Sequence, residues 1–383
     1  MDALLQGFTA LTWQSFVMFA IGGGLIFLAI KKDYEPMLLL PIGFGAILVN
    51  LPLSAVWGTE MEPGVLQTFY NAGIATELFP ILIFVAVGAM IDFSSLLRRP
   101  KMMLLGAAAQ FGIFATIVVV VLLGRAFPNF LEGIDLKSAA AIGIIGTADG
   151  PTSILVANRF APHLLAPIAV AAYSYMALVP IIQPPVIRLL TTKKERLIRM
   201  DNIEKPISKL ALILFPIVVT VISALIAPVC APLVGLLMFG NLIRVSGVLE
   251  RLSQSAQNEL ANLVTLLLGI TIGSTMRHEQ FLQWTTLLIL LIGLAAFIFD
   301  TAGGVLFAKL MNLFSKDKIN PMIGGAGISA FPMSARLVQK MATKEDPTNF
   351  ILMPAVSANV AGQVASAIAG GIVLALVPWI LGH

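Results

Sequence analysis

Asp149 lies inside an apolar run, AAIGIIGTADGPTSIL (140–155), among residues of the kind that hold an ion. Gly143, Gly146, Gly150 and Pro151 surround it, and Thr147, Thr152 and Ser153 bring hydroxyls. Proline lacks an N–H and clashes with the preceding turn, so Asp-Gly-Pro cannot continue a regular helix. A helix broken at membrane depth frees carbonyl and hydroxyl oxygens that must find partners. One carboxylate among such oxygens suits a small hard cation. A plainer role stays open, in which Asp149 pairs with Arg159 or Arg336 and ties helices together.

A second polar segment, NPMIGGAGISAFPMSAR (320–336), carries no acid but offers Asn320, Gly324, Gly325, Gly327, Ser329, Pro332, Ser334 and Arg336. It too reads as a broken helix lined by small and polar groups. Tyr173, Ser174 and Tyr175 interrupt one apolar run, and Ser357, Asn359 and Gln363 interrupt the last. Tyrosines often serve only as interfacial anchors, whereas Asn359 in mid-run resists that explanation. Asp300, in LAAFIFDTAGGVLF, could pair with a lysine, line a watery path or sit near a helix end. The glycine runs Gly22–Gly24 and Gly303–Gly304 read as close-packing surfaces, since neither fits a phosphate-binding motif.

The elements that must position these residues are membrane helices. Of 383 residues, 58% are hydrophobic and 11% charged, against about 45–50% and about 25% in soluble domains. Mean hydropathy is +0.94. These values exclude a soluble enzyme, a nucleic-acid binder and a disordered chain. One Cys and three His make a protein-built metal centre improbable and an internal disulfide impossible. The first 15 residues have no basic n-region, so no cleavable signal peptide is expected. Apolar runs fall at roughly 15–30, 36–52, 77–91, 102–124, 138–158 and 161–190, then 207–228, 232–246, 259–276, 284–310, 319–338 and 350–381. They are continuous, not alternating, which excludes a β-barrel.

The two sets overlay. IGTADGPTSILVANRF (145–160) falls on IGGAGISAFPMSARLV (323–338), with Gly146 on Gly324. IGFG ending at Gly45 falls on LMFG ending at Gly240, and VGAMIDFSSLL (87–97) on IGSTMRHEQFL (272–282). Basic loops alternate out of phase between the halves. Lys31–Lys32 and Arg98, Arg99 and Lys101 flank a connection with only Glu60, Glu62 and Glu77. In the second half Arg244 and Arg251, and then Lys309, Lys316 and Lys318, flank a connection with only Arg277. The positive-inside rule then sets the halves in opposite orientations, with the connector TTKKERLIRMDNIEK (191–205) cytoplasmic and the N-terminus outside. The expectation is an all-α polytopic membrane protein of two inverted-topology repeats, residues 1–192 and 206–383, joined by a basic cytoplasmic connector, 193–205. Its broken helices meet near the bilayer centre.

Several long blocks carry a family resemblance: YEPMLLLPIGFGAILVNLP, LLGAAAQFGIFAT, AAIGIIGTADGPTSI, IAVAAYSYMALVPIIQPP, TTKKERLIRM and INPMIGGAGISAFPMSAR. From about residue 34 to the C-terminus the chain resembles the beta subunit of the sodium-pumping biotin-dependent decarboxylases, which act on oxaloacetate, methylmalonyl-CoA or glutaconyl-CoA. The resemblance implies that carboxybiotin, carried on a partner subunit, is decarboxylated here with consumption of a proton, driving sodium out of the cell. It implies partners: a carboxyltransferase and biotin carrier (alpha or equivalent), a small membrane gamma or delta subunit, and a beta trimer in a bacterial or archaeal cytoplasmic membrane.

Residue by residue, the resemblance makes Asp149 the coupling carboxylate and Tyr175 a proton-path residue. Sodium is expected on Asp149, Thr152, Asn320, Ser329 and Asn359, and carboxybiotin on Arg336, Ser329 and Gly324. Guanidinium suits a planar carboxylate. The insert associated with oxaloacetate members, between the second and third apolar runs, is short here, which leans toward an acyl-CoA complex. Asp300 matches no position of the family. Two rivals remain at this point: an ion-coupled carrier of organic acids without decarboxylase activity, and a passive scaffold, which would have no need of polar broken helices.

Overall fold

The computed structural model describes residues 2–32, 34–53, 55–58, 62–127, 134–200 and 206–382. The Asp2 side chain, Glu60, residues 201–205 of the connector and His383 lie outside the described residues. The described chain is built from helices, without a β-strand. Among the described residues seven helices are long and apolar enough to cross a bilayer, and an eighth span is available if the pair Val65–Ile74 and Leu78–Met90, bent by 61°, counts as one.

In chain order the principal helices are α1 (Trp13–Lys32), α2 (Pro36–Val49), α3 (Leu78–Met90), α4 (Met102–Ala108), α5 (Phe111–Ala126), α6 (Leu136–Gly143), α7 (Gly150–Phe160) and α8 (Leu165–Leu190). After the connector follow α9 (Lys209–Ile226), α10 (Ala231–Ser246), α11 (Ala261–Ser274), α12 (Trp284–Phe314), the short α13 (Met322–Gly325), α14 (Met333–Glu345) and α15 (Leu352–Ile380). The apolar runs read from the sequence coincide with these helices to within a few residues. Three runs divide. Run 102–124 turns at Ala109–Gln110, where the Gln110 amide bonds the Gly106 carbonyl, and runs 138–158 and 319–338 open in mid-course.

Local chemistry explains the ends. Lys31 and Lys32 close α1, where cations complement the carbonyl end of a helix dipole. Ser208 starts α9 by accepting the Ala211 amide, which satisfies an otherwise orphaned donor. Most of α9 is left uncovered, with Leu210, Leu214, Val218, Val221 and Leu225 exposed. Such a face is tolerable only against lipid or another chain.

Helix contacts rest on small residues. A methyl on Gly45 of α2 would lie 2.4 Å from the Ile270 carbonyl of α11, and one on Gly273 would lie 2.1 Å from the Ile42 carbonyl of α2. A methyl on Gly240 of α10 would likewise run into the Val85 carbonyl of α3, and one on Gly88 of α3 into the Leu237 carbonyl. Close backbone approach through glycine is how helices associate where lipid removes the hydrophobic drive. Each junction also carries an asparagine: Asn50 donates to the Met276 carbonyl at 2.8 Å, and Asn241 to the Ile91 carbonyl at 2.9 Å. The long helices α8, α12 and α15 pack around the two opened runs. At about 1.5 Å per residue, α12 is about 45 Å long.

Candidate cation site between two broken helices

The first opening spans six residues, 144–149. A tight turn at Ile144–Thr147 ends α6, and Ala148 takes a left-handed φ of 50°. A β-carbon in that conformation costs roughly 1–2 kcal/mol. Asp149 then caps α7, with Pro151 in the first turn, where a missing N–H does no harm. The proline that cannot continue the first helix thus begins the second.

The cap places the carboxylate among neutral donors. Asp149 Oδ1 accepts the Thr152 amide at 3.3 Å, and Oδ2 accepts the hydroxyls of Thr152 and Ser366, each at 2.7 Å. Its amide donates to the Thr147 hydroxyl at 3.0 Å, and its carbonyl accepts from Ser153 at 2.8 Å. The group is buried. No arginine neutralises it. Arg159 lies 3.9 Å from Glu77, with its side chain largely exposed, and Arg336 is exposed on α14. The helix-tying ion pair considered from the sequence is therefore not formed. Hydrogen bonds to an ionised group are worth about 1.5–3 kcal/mol each. They offset part of the cost of burial, and with no counter-charge beside it an ionised carboxylate here would draw a cation.

The second opening, between α13 and α14, touches the first. Ser329 donates its amide to the Thr147 carbonyl at 3.0 Å. One face of α15 holds this segment: Asn359 donates to the Ile328 carbonyl at 2.7 Å, Gln363 to the Ser329 carbonyl, and Ser329 returns its hydroxyl to Gly362 at 3.1 Å. Asn359, Gln363 and Ser366 recur at helical spacing. The Oδ1 of Asn359 is buried and accepts nothing, so a neutral oxygen stands free for a cation. Asn359 and Ser366 are two turns apart, about 10 Å. The oxygens therefore form a row along α15 and not one cage.

The other expected residues are distributed around this row. Thr152 is part of the Asp149 cluster. Asn320 stands apart: its amide donates to the carbonyls of Arg196 and Ile198 at 2.9 Å, and its oxygen accepts the Met322 amide. These bonds hold the connector. Gly324 is pressed on Gly304 of α12, where a methyl would meet the carbonyl at 2.0 Å, so it is a packing contact here. Tyr173 and Tyr175 are buried, which corrects the reading of either as an interfacial anchor. Tyr175 donates to the Leu290 carbonyl of α12 and packs with Ile145 around Gly293. It is Tyr173 whose ring lies across Gly150, next to Asp149.

Two residues of the site escaped the sequence reading. Ser366 lies in the same polar stripe of α15 as Asn359 and Gln363, and extending that periodicity by one step would have found it. Gln183, in the proline-rich end of α8, bonds Thr301, the Gly325 carbonyl and Ser334 together. No pattern marks it.

The connector is latched at the opposite end of α14. Arg196 pairs with Glu345 at 2.8 Å, Arg199 with Asp346 at 2.7 Å, and Lys309 with Glu195 at 3.2 Å. The hydroxyl and amide of Thr348, with Arg199, hold the Asp346 carboxyl down to about 2. Burial pushes Glu195 up, but the amide and hydroxyl of Thr192 and the Lys309 ammonium outweigh it and leave it lowered.

Comparison with known proteins places this geometry in context. Residues 14–377 match the family described as the Na+-transporting oxaloacetate decarboxylase beta subunit. The chain is 51% identical over 372 residues to the glutaconyl-CoA decarboxylase subunit beta of Acidaminococcus fermentans, covering 97% of this chain and 96% of that one. It is 50% identical over 371 residues to the methylmalonyl-CoA decarboxylase subunit beta of Veillonella parvula, covering 97% and 95%. To the oxaloacetate decarboxylase beta chain 2 of Salmonella typhi it is 46% identical over 430 residues, covering 98% of each.

Proposed function

The chain belongs to the family of the Na+-transporting oxaloacetate decarboxylase beta subunit, and from that premise we propose that it is the membrane subunit of a sodium-pumping decarboxylase. This membership favours a decarboxylase subunit over a carrier of organic acids. The observation that carries the sodium reading is the buried Asp149 carboxylate, fed only by neutral donors at the junction of two broken helices. Sodium is the cargo. It is held by Asp149 with Thr152 and Ser366, and Ser329 and Asn359 continue its path along α15. Asn320 serves the path indirectly, by fixing the connector under the second opening.

Carboxybiotin on a partner subunit supplies the carboxyl group whose loss provides the driving free energy. Of the three residues expected to receive it, Arg336 is exposed and fits a carboxylate. Ser329 and Gly324 are engaged inside the protein. Arg336 therefore makes the first encounter. Tyr173, at Gly150, is better placed than Tyr175 to hand a proton toward Asp149 when sodium leaves.

The two glycine junctions support two repeats of inverted topology, 1–192 and 206–383. Gly45 and Gly273 make one contact, and their sequence counterparts Gly240 and Gly88 make the other. Alternating access then arises as one bundle rocks on the other. The basic connector and the Lys309 end of α12, which meet, face the cytoplasm of a bacterium or archaeon. The biotin carrier and carboxyltransferase dock there, a small gamma or delta subunit completes the complex, and beta subunits assemble as trimers. The alignment over 430 residues to the oxaloacetate relative, against 372 to the glutaconyl-CoA relative, supports an acyl-CoA substrate. The test is Asp149→Asn in the whole complex. It abolishes sodium-dependent decarboxylation and leaves carboxyl transfer to biotin intact, and unimpaired turnover would refute the reading.

A further inference from the structure

Asp300 is the buried acid that the sodium site leaves unused. It is fully buried in α12, about 24 Å from the start of the helix and about 21 Å from its end at 1.5 Å per residue. Neither a helix end nor a lysine accounts for it. Its cradle is made by two glycines: a methyl on Gly112 of α5 would lie 2.5 Å from Oδ1, and one on Gly146 of the first opening 2.5 Å from Oδ2. Neither carboxyl oxygen accepts a hydrogen bond of ordinary geometry. The nearest donors are the amides of Gly112 and Ile113 in the first turn of α5.

No charge from the surrounding elements compensates it. On its own helix, Lys309 is bound to Glu195 and the Leu190 carbonyl. From α8, Tyr175 is bonded to Leu290, Tyr173 lies on Gly150, and Arg188 is exposed at the helix end. Arg125 is exposed at the last turn of α5, and Lys137 lies in the first turn of α6. The turn at Ile144–Thr147, α4 and α13 carry no titratable side chain. Beyond the turn, Asp149 is engaged by Thr152 and Ser366.

We propose that Asp300 is a proton-binding site separate from Asp149, holding a proton while Gly146 packs on it and releasing that proton when the first opening moves. An ionised, unpaired carboxylate in mid-span is strongly disfavoured. Among the described residues Asp300 belongs to no group of three acidic, His or Cys side chains that could hold a metal ion. A proton is the counter-charge that fits. The amides of Gly112 and Ile113 approach the carboxyl as capping donors do, but they are neutral and bring no counter-charge. Gly146 stands three residues before Asp149, so a shift of this turn on cation binding uncovers Oδ2. Sodium at Asp149 and the proton at Asp300 therefore oppose one another. That coupling rests on the sodium reading, whereas proton occupancy stands without it.

The test is infrared spectroscopy of the complete complex in liposomes at neutral pH, comparing wild type, Asp300→Asn, Asp149→Asn and the double variant. Without sodium, a protonated-carboxyl band sensitive to deuterium exchange is expected in Asp149→Asn and absent from the double variant, where neither carboxyl remains. Adding sodium bleaches the part of the wild-type band that Asp300→Asn lacks, and leaves the Asp149→Asn band unchanged. A band that survives in the double variant, or is missing from Asp149→Asn, overturns the proton site. A band that ignores sodium in a wild-type complex that still pumps sodium overturns the coupling. A complex that shows the Asp300 band but neither binds nor moves sodium counts against the sodium reading instead. If Asp300→Asn yields no folded protein, carbon-13-labelled aspartate in the Asp149→Asn complex decides: a labelled protonated band supports the site, and its absence overturns it.

Discussion

The Ser366 hydroxyl donates to Asp149 Oδ2 across 2.7 Å, joining the last long helix to the first broken one. Through this bond α15 reaches both openings at once, since Asn359 and Gln363 on the same face hold Ile328 and Ser329. A change in charge at Asp149 is thereby felt by the helix that also positions the second opening.

Ser366→Ala removes one donor from an ionised group. At about 1.5–3 kcal/mol for such a bond, and 1.4 kcal/mol per factor of ten, sodium affinity should weaken roughly tenfold or more with the fold retained. A sodium titration of decarboxylation measures this. An unchanged half-saturating sodium concentration would mean that Ser366 is structural only.

Ala148 carries its left-handed φ without the freedom of glycine. Ala148→Gly should raise thermal stability by up to about 1 kcal/mol. If strain at this turn also helps the site change state, turnover falls as stability rises. Thermal unfolding in detergent, paired with the turnover rate, separates the two effects.

The glycine junctions admit no side chain. Gly88→Ala and Gly273→Ala each drive a methyl into a carbonyl of the neighbouring helix, and overpacking of this kind costs typically about 1–3 kcal/mol. Both variants should unfold at lower temperature than wild type. Gly23→Ala, whose new methyl meets nothing within 4 Å, should not.

The connector latch should be insensitive to pH near neutrality. Asp346 is lowered to about 2, so its contribution is fully present above the ordinary carboxylate range, about 3.9 when unfolded, and is lost as pH falls from there toward 2. Asp346→Asn should leave the neutral pH profile of decarboxylation unchanged while exposing the connector to limited proteolysis. Asn320→Ala, which takes one donor each from the Arg196 and Ile198 carbonyls, should expose it further.

Much of this was legible in the residues. Asp-Gly-Pro in an apolar run marks a break because proline's chemistry is local, and Asp149 follows from the expense of a charge there. What was not legible depends on how helices pack. Asn320 reads like a ligand in its motif, yet its amide is committed to a connector more than a hundred residues away in sequence. Tyr173 and Tyr175 differ only in which side of α8 they occupy, and that is set by Gly150 on one side and α12 on the other. Gln183 gains its role from three partners supplied by α12, α13 and α14. Asp300 was visible as an anomaly, but its glycine cradle was not, because Gly112 and Gly146 come from different helical segments.

The most direct measurement is sodium uptake by liposomes containing the complex, started by free carboxybiotin. Wild type should accumulate sodium in proportion to the carboxybiotin consumed, and Asp149→Asn should accumulate none while still accepting carboxyl groups onto its biotin carrier. Sodium uptake by Asp149→Asn at the wild-type rate would contradict the central role of this carboxylate.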